Sequence, residues 1–579
     1  MHRALNRDLQ FSVLVLSAVW FTMATGASAA DAPADLVFLH GRIHTEDPGR
    51  TVAQALALRG NTIVAVGSDQ TVGAWVGPGT RTIDLAGRVV LPGIIDAHIH
   101  PAQSSQDLDK CSLRAEWLTP AQIKEKVALC LKRRPLDPAL WFEVVQVNSP
   151  GLVLTRADLD GMLADHPMLL EDSDGHTVWA NSAALKASGI SAATKDPAGG
   201  RIEHDGAGNP TGTLRDTAAE IALDAKPAPS LDVAASLLDR AFDEMRATGI
   251  TSVQDADTDE RGMQLYKRLY DAHRLNMRVR ATYGLKSTER PADVLIGEAV
   301  KFRAKWAIDP EFLRADAIKI FADGVIEYPS QTAALLEPYL DAAGRPTANR
   351  GPTYFAQEHL NSIVAGADAA GFTVHIHAIG DRAVRSSLDA FADARRRNGK
   401  RDNRDQIAHL ELIDPADFTR FKELGVIANF QLLWAEHDPD MDTGTLAYLG
   451  PKRSRYLYPA RSLKDAGALI AGGSDWGVSS FDAFEAMEHA VTRSLGKGQK
   501  PLLPEQSIPL QDIVDAYTIN AAYALKQERI TGSLEPGKRG DLIVLDRDIF
   551  AIDPFDLHST RVLSTYLDGR EVYGAKSGK

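Results

Sequence analysis

Short apolar runs recur along the chain, closing in turn at His100, Asp255, Gly284, Asp323, His377, His409, Gln431 and Asp475. Between them lie stretches whose apolar positions return at helical spacing. A run that is apolar on both faces reads as a strand covered from two sides, and strands alternating with helices predict a parallel sheet. Eight such strands predict an α/β fold, a TIM-like (β/α)8 barrel, provided that residues from about 105 to 235 form an insertion after the first strand. Inside that insertion, Asp205-Gly206-Ala207-Gly208-Asn209-Pro210-Thr211-Gly212 has the composition of a hairpin tip.

The two ends of the chain carry a different pattern. Residues 35–43, 55–58 and 61–67 near one end, and 540–545 and 562–569 near the other, are short β segments. They predict one small composite β-sandwich domain built from residues 31–88 and 526–579, around a barrel at 89–525. Before it, Arg3 and Arg7 precede an apolar stretch from Phe11 to Met23 that leads to Ala27-Ser28-Ala29. That is the order of a cleavable export signal, here over residues 1–30. The stretch is shorter than the ~20 residues of a spanning helix, so no membrane anchor is expected after cleavage. The expected location is secreted, most simply a bacterial periplasm.

Composition changes this picture little. The 579 residues are 44% hydrophobic and 24% charged, ordinary values for a globular enzyme with a sizeable core. A net charge of −13, without a long Lys/Arg block, argues against nucleic acid or anionic membrane as a partner. A small-molecule substrate remains, with homo-oligomer formation left open. Cys111 and Cys130 are the two cysteines; in an oxidising compartment they either pair across a short loop or stay as buried thiols.

The chemistry sits at the ends of the apolar runs. His98 and His100 close the first, and alternate residues of a strand share a face, so both imidazoles can reach one point. The carboxyl ends of the strands are where barrels of this kind place their active sites. His377 closes a second run, with His375 deeper on the same face; His409 closes a third, and Asp475 a fourth, after Gly472-Gly473. Singly, each reads as a hydrogen-bonded core histidine or a helix cap. Four such ends in one chain read together as a site for a divalent metal, zinc first among them.

Several motifs then resemble those of the amidohydrolase superfamily, in its branch of N-acyl and N-formyl amide hydrolases (amidohydrolase family 3). They are Pro92-Gly93-Ile94-Ile95-Asp96-Ala97-His98-Ile99-His100, Lys319-Ile320-Phe321-Ala322-Asp323-Gly324-Val325, His377-Ala378-Ile379-Gly380-Asp381-Arg382-Ala383 and Ala471-Gly472-Gly473-Ser474-Asp475. Asp174 through Ser182, containing His176, resembles the branch's insertion, and Gly532 through Lys538 its return to the β domain. The resemblance implies that His98, His100 and Asp475 hold one metal, and that His377 and His409 hold a second or touch the substrate. It implies that Lys319 is carboxylated and bridges two ions; the alternative is an ordinary lysine paired with Asp323 or Asp475. The implied reaction is hydrolysis of an amide-type C–N bond by metal-activated water, with Asp475 as general base and then acid.

Gln431 and Trp476 are expected to touch the substrate, Trp476 with Trp434 either walling a pocket or packing in the core. His176 either reaches the site or orders its own loop. The sequence departs from the family where Ala408 replaces a frequent Glu and Leu432 a frequent Pro. A deaminase on the same scaffold usually carries a glutamate soon after the fifth-strand histidine, and Ala378-Ile379-Gly380-Asp381 lacks it. Ester, lactone and carbamate hydrolysis stay open, since the same attack serves those carbonyls. Metal binding without turnover would leave Asp475 no proton to move.

Overall fold

The computed structural model describes residues 32–114, 116–133, 136, 140–148, 152–173, 175, 177–197, 200–285, 288–439 and 441–575. The export segment expected over residues 1–30, and His176, lie outside the described residues.

Eight parallel strands form the central sheet: β1 (Ile94–Ile99), β2 (Ile250–Thr258), β3 (Arg278–Gly284), β4 (Leu313–Phe321), β5 (Thr373–Ala378), β6 (Gln406–His409), β7 (Ile427–Phe430) and β8 (Ile470–Gly472). These are the eight runs that the hydrophobic pattern marks. Each pairs with its sequence neighbour, and the ladder runs unbroken from β1 to β8. The seam between β8 and β1 is drawn together at the carboxyl ends instead. The Asp475 N–H donates to the His98 carbonyl at 2.7 Å, and the His100 N–H to the Trp476 carbonyl at 2.8 Å. One oxygen of Asp96 accepts from both sides of the seam, from the N–H of His98 and of Ser474, each at 3.1 Å. Gly473 permits this approach, because a Cβ there would lie 2.6 Å from both the Cβ and the backbone N of His98.

Helices cover the barrel by burying one stripe each. In Leu231–Ala247 that stripe is Ala234, Leu238, Ala241, Phe242 and Met245, and the Ser230 side chain caps the first turn by accepting from the Val233 N–H. Asp381–Asn398 buries Ala383, Val384, Ser387, Leu388 and Phe391; in its last turn Arg395 bonds Asp368 at 2.8 Å and Asp405 at 3.0 Å, tying helix to sheet.

The end segments form two sheets that share a core of Phe38, Ile43, Leu56, Leu58, Val90, Leu542 and Tyr566. The six-stranded sheet joins both termini where Leu542–Leu545 runs antiparallel to Val89–Pro92, the strand that leads into β1. A buried ion pair locks this domain to the barrel: Arg278 of β3 donates from Nε to Asp541 at 2.9 Å, and neither side chain reaches solvent.

Between β1 and β2 the inserted segment builds its own six-stranded sheet, from Cys111–Ser112 to Pro210–Asp216. Its hairpin tip turns at Asp205, whose carboxylate accepts the N–H of Ala207 and Asn209 at 2.9 Å each. Cys111 and Cys130 form a disulfide, the first of the two alternatives. Among the described residues no helix is long and apolar enough to cross a membrane.

Candidate metal centre

Strand register assembles the site in rows. Lys319 of β4 pairs with His375 of β5, and His375 with Gln406 of β6, so these three lie side by side across the barrel interior. One row nearer the carboxyl ends, Phe321 pairs with His377, and His377 with Ala408. His409 and Asp475 leave the strand conformation at φ 76° and 55°, a left-handed backbone that costs a side-chain-bearing residue roughly 1–3 kcal/mol and is concentrated at functional sites.

His98, His409 and Asp475 offer ligand atoms that all lie within 4.8 Å of one another. His100 Nε2 is 3.0 Å and His98 Nε2 3.4 Å from the same oxygen, Asp475 Oδ1. His377 stands beside His409, ring centroids 4.5 Å apart, and is braced by Asp323 at 3.6 Å and the Gly324 carbonyl at 3.2 Å. Lys319 is buried, its Nζ 3.2 Å from His98 Nε2. His409, expected to partner His377, thus converges on His98 and Asp475 as well.

Beneath these groups runs a belt of buried polar side chains. His98 Nδ1 meets His375 Nε2 at 2.8 Å, and His375 Nδ1 meets the Gln254 amide at 2.5 Å. Gln406 donates to Gln254 at 3.3 Å, Asn429 to Gln406 at 2.9 Å and Gln431 to Asn429 at 3.1 Å; Gln431 then accepts the His409 N–H at 3.1 Å. All are buried, so each link satisfies groups that would otherwise be stranded. Gln254, Gln406 and Asn429 escape the sequence reading; the available signal was a lone amide at an inward position of an apolar strand.

Burial, followed by the positive charge of Lys319, holds His98 and His375 well below the usual histidine range; burial and then His377 do so for His409. These imidazoles are neutral, as metal ligands must be. Burial opposes ionisation of Asp475, yet the adjoining His100, with Lys319 and His377, outweighs it and holds the carboxyl below its ordinary value. Asp323, by contrast, is pushed up to about 7 by burial, against the three backbone N–H groups of Ile379, Gly380 and Ala334 that bond it.

The donor set fits a divalent cation. Nδ1 of His100, Nδ1 of His409 and Oδ1 of Asp475 are buried without a hydrogen-bond partner, each at a cost of about 1–3 kcal/mol that coordination would remove. Imidazole nitrogens with one carboxylate are the ligands of catalytic zinc sites.

The cluster opens onto a cleft of about 2700 Å³, walled on one side by the inserted segment. His98, His100, Lys319, His377, His409 and Asp475 all line it, as does Trp434, stacked on His409 at 5.6 Å with the rings 9° from parallel. Gln431 and Trp476 are not brought to it. Gln431 is enclosed in the amide belt, and Trp476 faces a separate shallow pocket with Arg114 and Gln146, its ring edge-on to Phe481.

An eight-stranded barrel with imidazoles and a carboxylate converging at its carboxyl end has the architecture of a metal-dependent hydrolase. The chain matches the amidohydrolase family over residues 81–573 and belongs to it. It is 30% identical to the N-substituted formamide deformylase of Arthrobacter pascens, over 92% of this chain and 97% of that one. It is 29% identical to protein LONG AFTER FAR-RED 3 of Arabidopsis thaliana, over 96% and 94%. The fold is shared with an uncharacterized metal-dependent hydrolase from Pyrococcus horikoshii OT3, at a TM-score of 0.72 and 22% identity over 90% of this chain and 99% of that one.

Proposed function

We propose that the protein hydrolyses an amide-type C–N bond in an N-acyl or N-formyl substrate, with Asp475 moving the proton. The observation that carries this reading is the convergence of His98, His409 and Asp475, with unpaired buried donor atoms, at the floor of an open cleft. A divalent metal, zinc by preference, would be held by these residues and His100; when bound it supplies a Lewis acid and an acidified water. Asp475, kept ionised by its neighbours, takes a proton from the attacking water and returns it to the leaving nitrogen. His377, whose Nε2 is braced by the Gly324 carbonyl and Asp323, lines the cleft beside His409, where it would hold a second metal or touch the substrate.

Lys319 belongs to the same reading. An ammonium has three donors and no acceptor, so beside His98 Nε2 it competes with metal for the lone pair. Carboxylation of its amine replaces those donors with an anionic acceptor, which supports a two-metal centre. Export to an oxidising compartment is supported by the Cys111–Cys130 disulfide.

The test is turnover of N-formyl, N-acetyl and aryl amides by metal-replete protein, with matched esters and lactones. Amide hydrolysis is expected, lost in Asp475→Asn while metal stays bound; an Asp475→Asn variant that still turns over removes Asp475 from its role. Metal content near two ions per chain, falling to one in Lys319→Ala, is expected of the bridge; one ion in both proteins refutes it.

A further inference from the structure

His409 is held in place differently from the histidines beside it. His98 has His375 at 2.8 Å, and His377 has the Gly324 carbonyl at 3.2 Å. Neither ring nitrogen of His409 has a hydrogen-bond partner among the described residues, and Asp475 Oδ2, at 4.0 Å from Nδ1, is beyond reach. A histidine that ligates metal usually donates its other N–H to an acceptor that fixes the plane of the ring. The His409 ring lies instead nearly parallel to the Trp434 indole, centroids 5.6 Å apart and planes 9° from parallel. The rings of His98 and His377 are inclined to it at 60° and 61°. Offset stacking stands where a hydrogen bond would, so the plane of His409 depends on what holds Trp434.

Trp434 ends a single helical turn, Leu432–Trp434, that follows β7. The start of this turn is fixed inside the barrel, where Gln431 donates to Asn429 at 3.1 Å and accepts the His409 N–H at 3.1 Å. Its end is fixed from outside by one imidazole. Nδ1 of His489, on the helix Ala483–Thr492, lies 2.7 Å from the Leu433 carbonyl and 2.9 Å from Glu436 Oε2. These contacts fall on either side of Trp434 in sequence. The Glu436 N–H also donates to the Trp434 carbonyl at 2.8 Å, so the indole cannot shift without breaking them. Trp434 and Glu436 line the cleft, whereas His489 stands behind them.

We propose that His489 is a positioning residue for the metal centre, holding Trp434 against His409 and thereby fixing the plane of a ring that meets the ion. It touches neither metal nor substrate and acts through two residues that do line the cleft. The inference rests on the metal-dependent reading above, deepens it by one residue, and is tested apart from amide turnover.

The experiment measures zinc affinity of the full-length protein by competition with a fluorescent chelator. His489→Leu is expected to weaken zinc binding about tenfold, as the loss of a ligand's orienting partner does. His489→Asn keeps a side-chain N–H close to the place of Nδ1 and is expected to restore most of that loss. Trp434→Leu is expected to weaken binding as much as His489→Leu, and the double variant no further, because one residue acts through the other. Should His489→Leu fail to fold, Glu436→Gln carries the same test: it is expected to weaken binding in the native background and to have no effect beside Trp434→Leu. Unchanged affinity in His489→Leu, or losses that add in the double variants, overturns the proposal. Hydrolysis of an N-formyl amide is followed in parallel. Additive losses in a protein that hydrolyses the amide refute the inference and spare the amide reading, while non-additive losses in a protein that hydrolyses none do the reverse.

Discussion

His375 Nε2 lies 2.8 Å from Nδ1 of His98, and the two rings are held nearly edge to face. That contact decides which nitrogen of His98 is left for other work. With Nδ1 engaged by His375, Nε2 is the His98 nitrogen turned to the Asp475 side of the site, 3.4 Å from Asp475 Oδ1. Gln254 closes the far side of His375, and a side-chain amide offers a donor or an acceptor as the tautomer demands. His375→Ala and Gln254→Leu are therefore expected to weaken metal binding by about 10–100-fold without removing a ligand. Competition with a fluorescent chelator measures it; unchanged affinity in both variants would show that the belt has only a structural role.

Gly473 sets how closely β8 approaches β1. A methyl group there collides with backbone as well as side chain of His98, which cannot swing aside as a flexible side-chain end could. Gly473→Ala is expected to cost about 1–3 kcal/mol in urea unfolding and to lower metal affinity in the same protein. Loss of one without the other would uncouple the seam from the site.

Removing one member of the Arg278–Asp541 pair strands a buried charge between barrel and sandwich. Arg278→Met is expected to destabilise by about 3–5 kcal/mol, and Arg278→Met/Asp541→Leu to recover part of that loss. The recovery is partial because Asp541 also accepts the Asp568 N–H at 2.8 Å. Equilibrium unfolding of the two variants decides it.

Glu46 links the sandwich to the helix Leu510–Ala516, accepting from Gln511 at 2.6 Å. Burial, then the hydrogen bond and charge of Asp515, push its carboxyl up to about 8. The fold thus favours the protonated form. Its contribution is complete below the unfolded value of 4.5 and is lost as pH rises through about 8. Between roughly pH 5 and 9 the melting temperature of the native protein should fall more than that of Glu46→Gln. Parallel curves for the two would remove Glu46 as the source.

The barrel was legible because each strand announces itself as an apolar run and all but the one closing at Gly284 also as a polar residue at its end. Burial on both faces forces the first, and the convergence of strand ends on one face of the sheet makes the second informative. The amide belt was not legible. Gln254, Gln406 and Asn429 each look like a single polar interruption, and their meaning depends on register between strands far apart in sequence. Gln431 shows the same limit: it stands at a strand end, as a substrate contact would, but is occupied by Asn429 and the His409 N–H. Trp476 was misplaced because strand alternation does not carry past Asp475, whose left-handed backbone turns the next side chain away from the cleft.

The joint at Asp96 has a consequence for how the protein is made. Its carboxylate is bonded to Ser474, 378 residues further along the chain, so the first barrel strand waits for the last before the cleft floor exists. A nascent chain that has not yet reached Asp475 holds the imidazoles of His98, His100 and His409 but not the carboxylate that completes the set. Ion uptake by this protein is thus a signal of completed synthesis: a chain truncated before β8 should emerge without cargo, however well its earlier strands have paired.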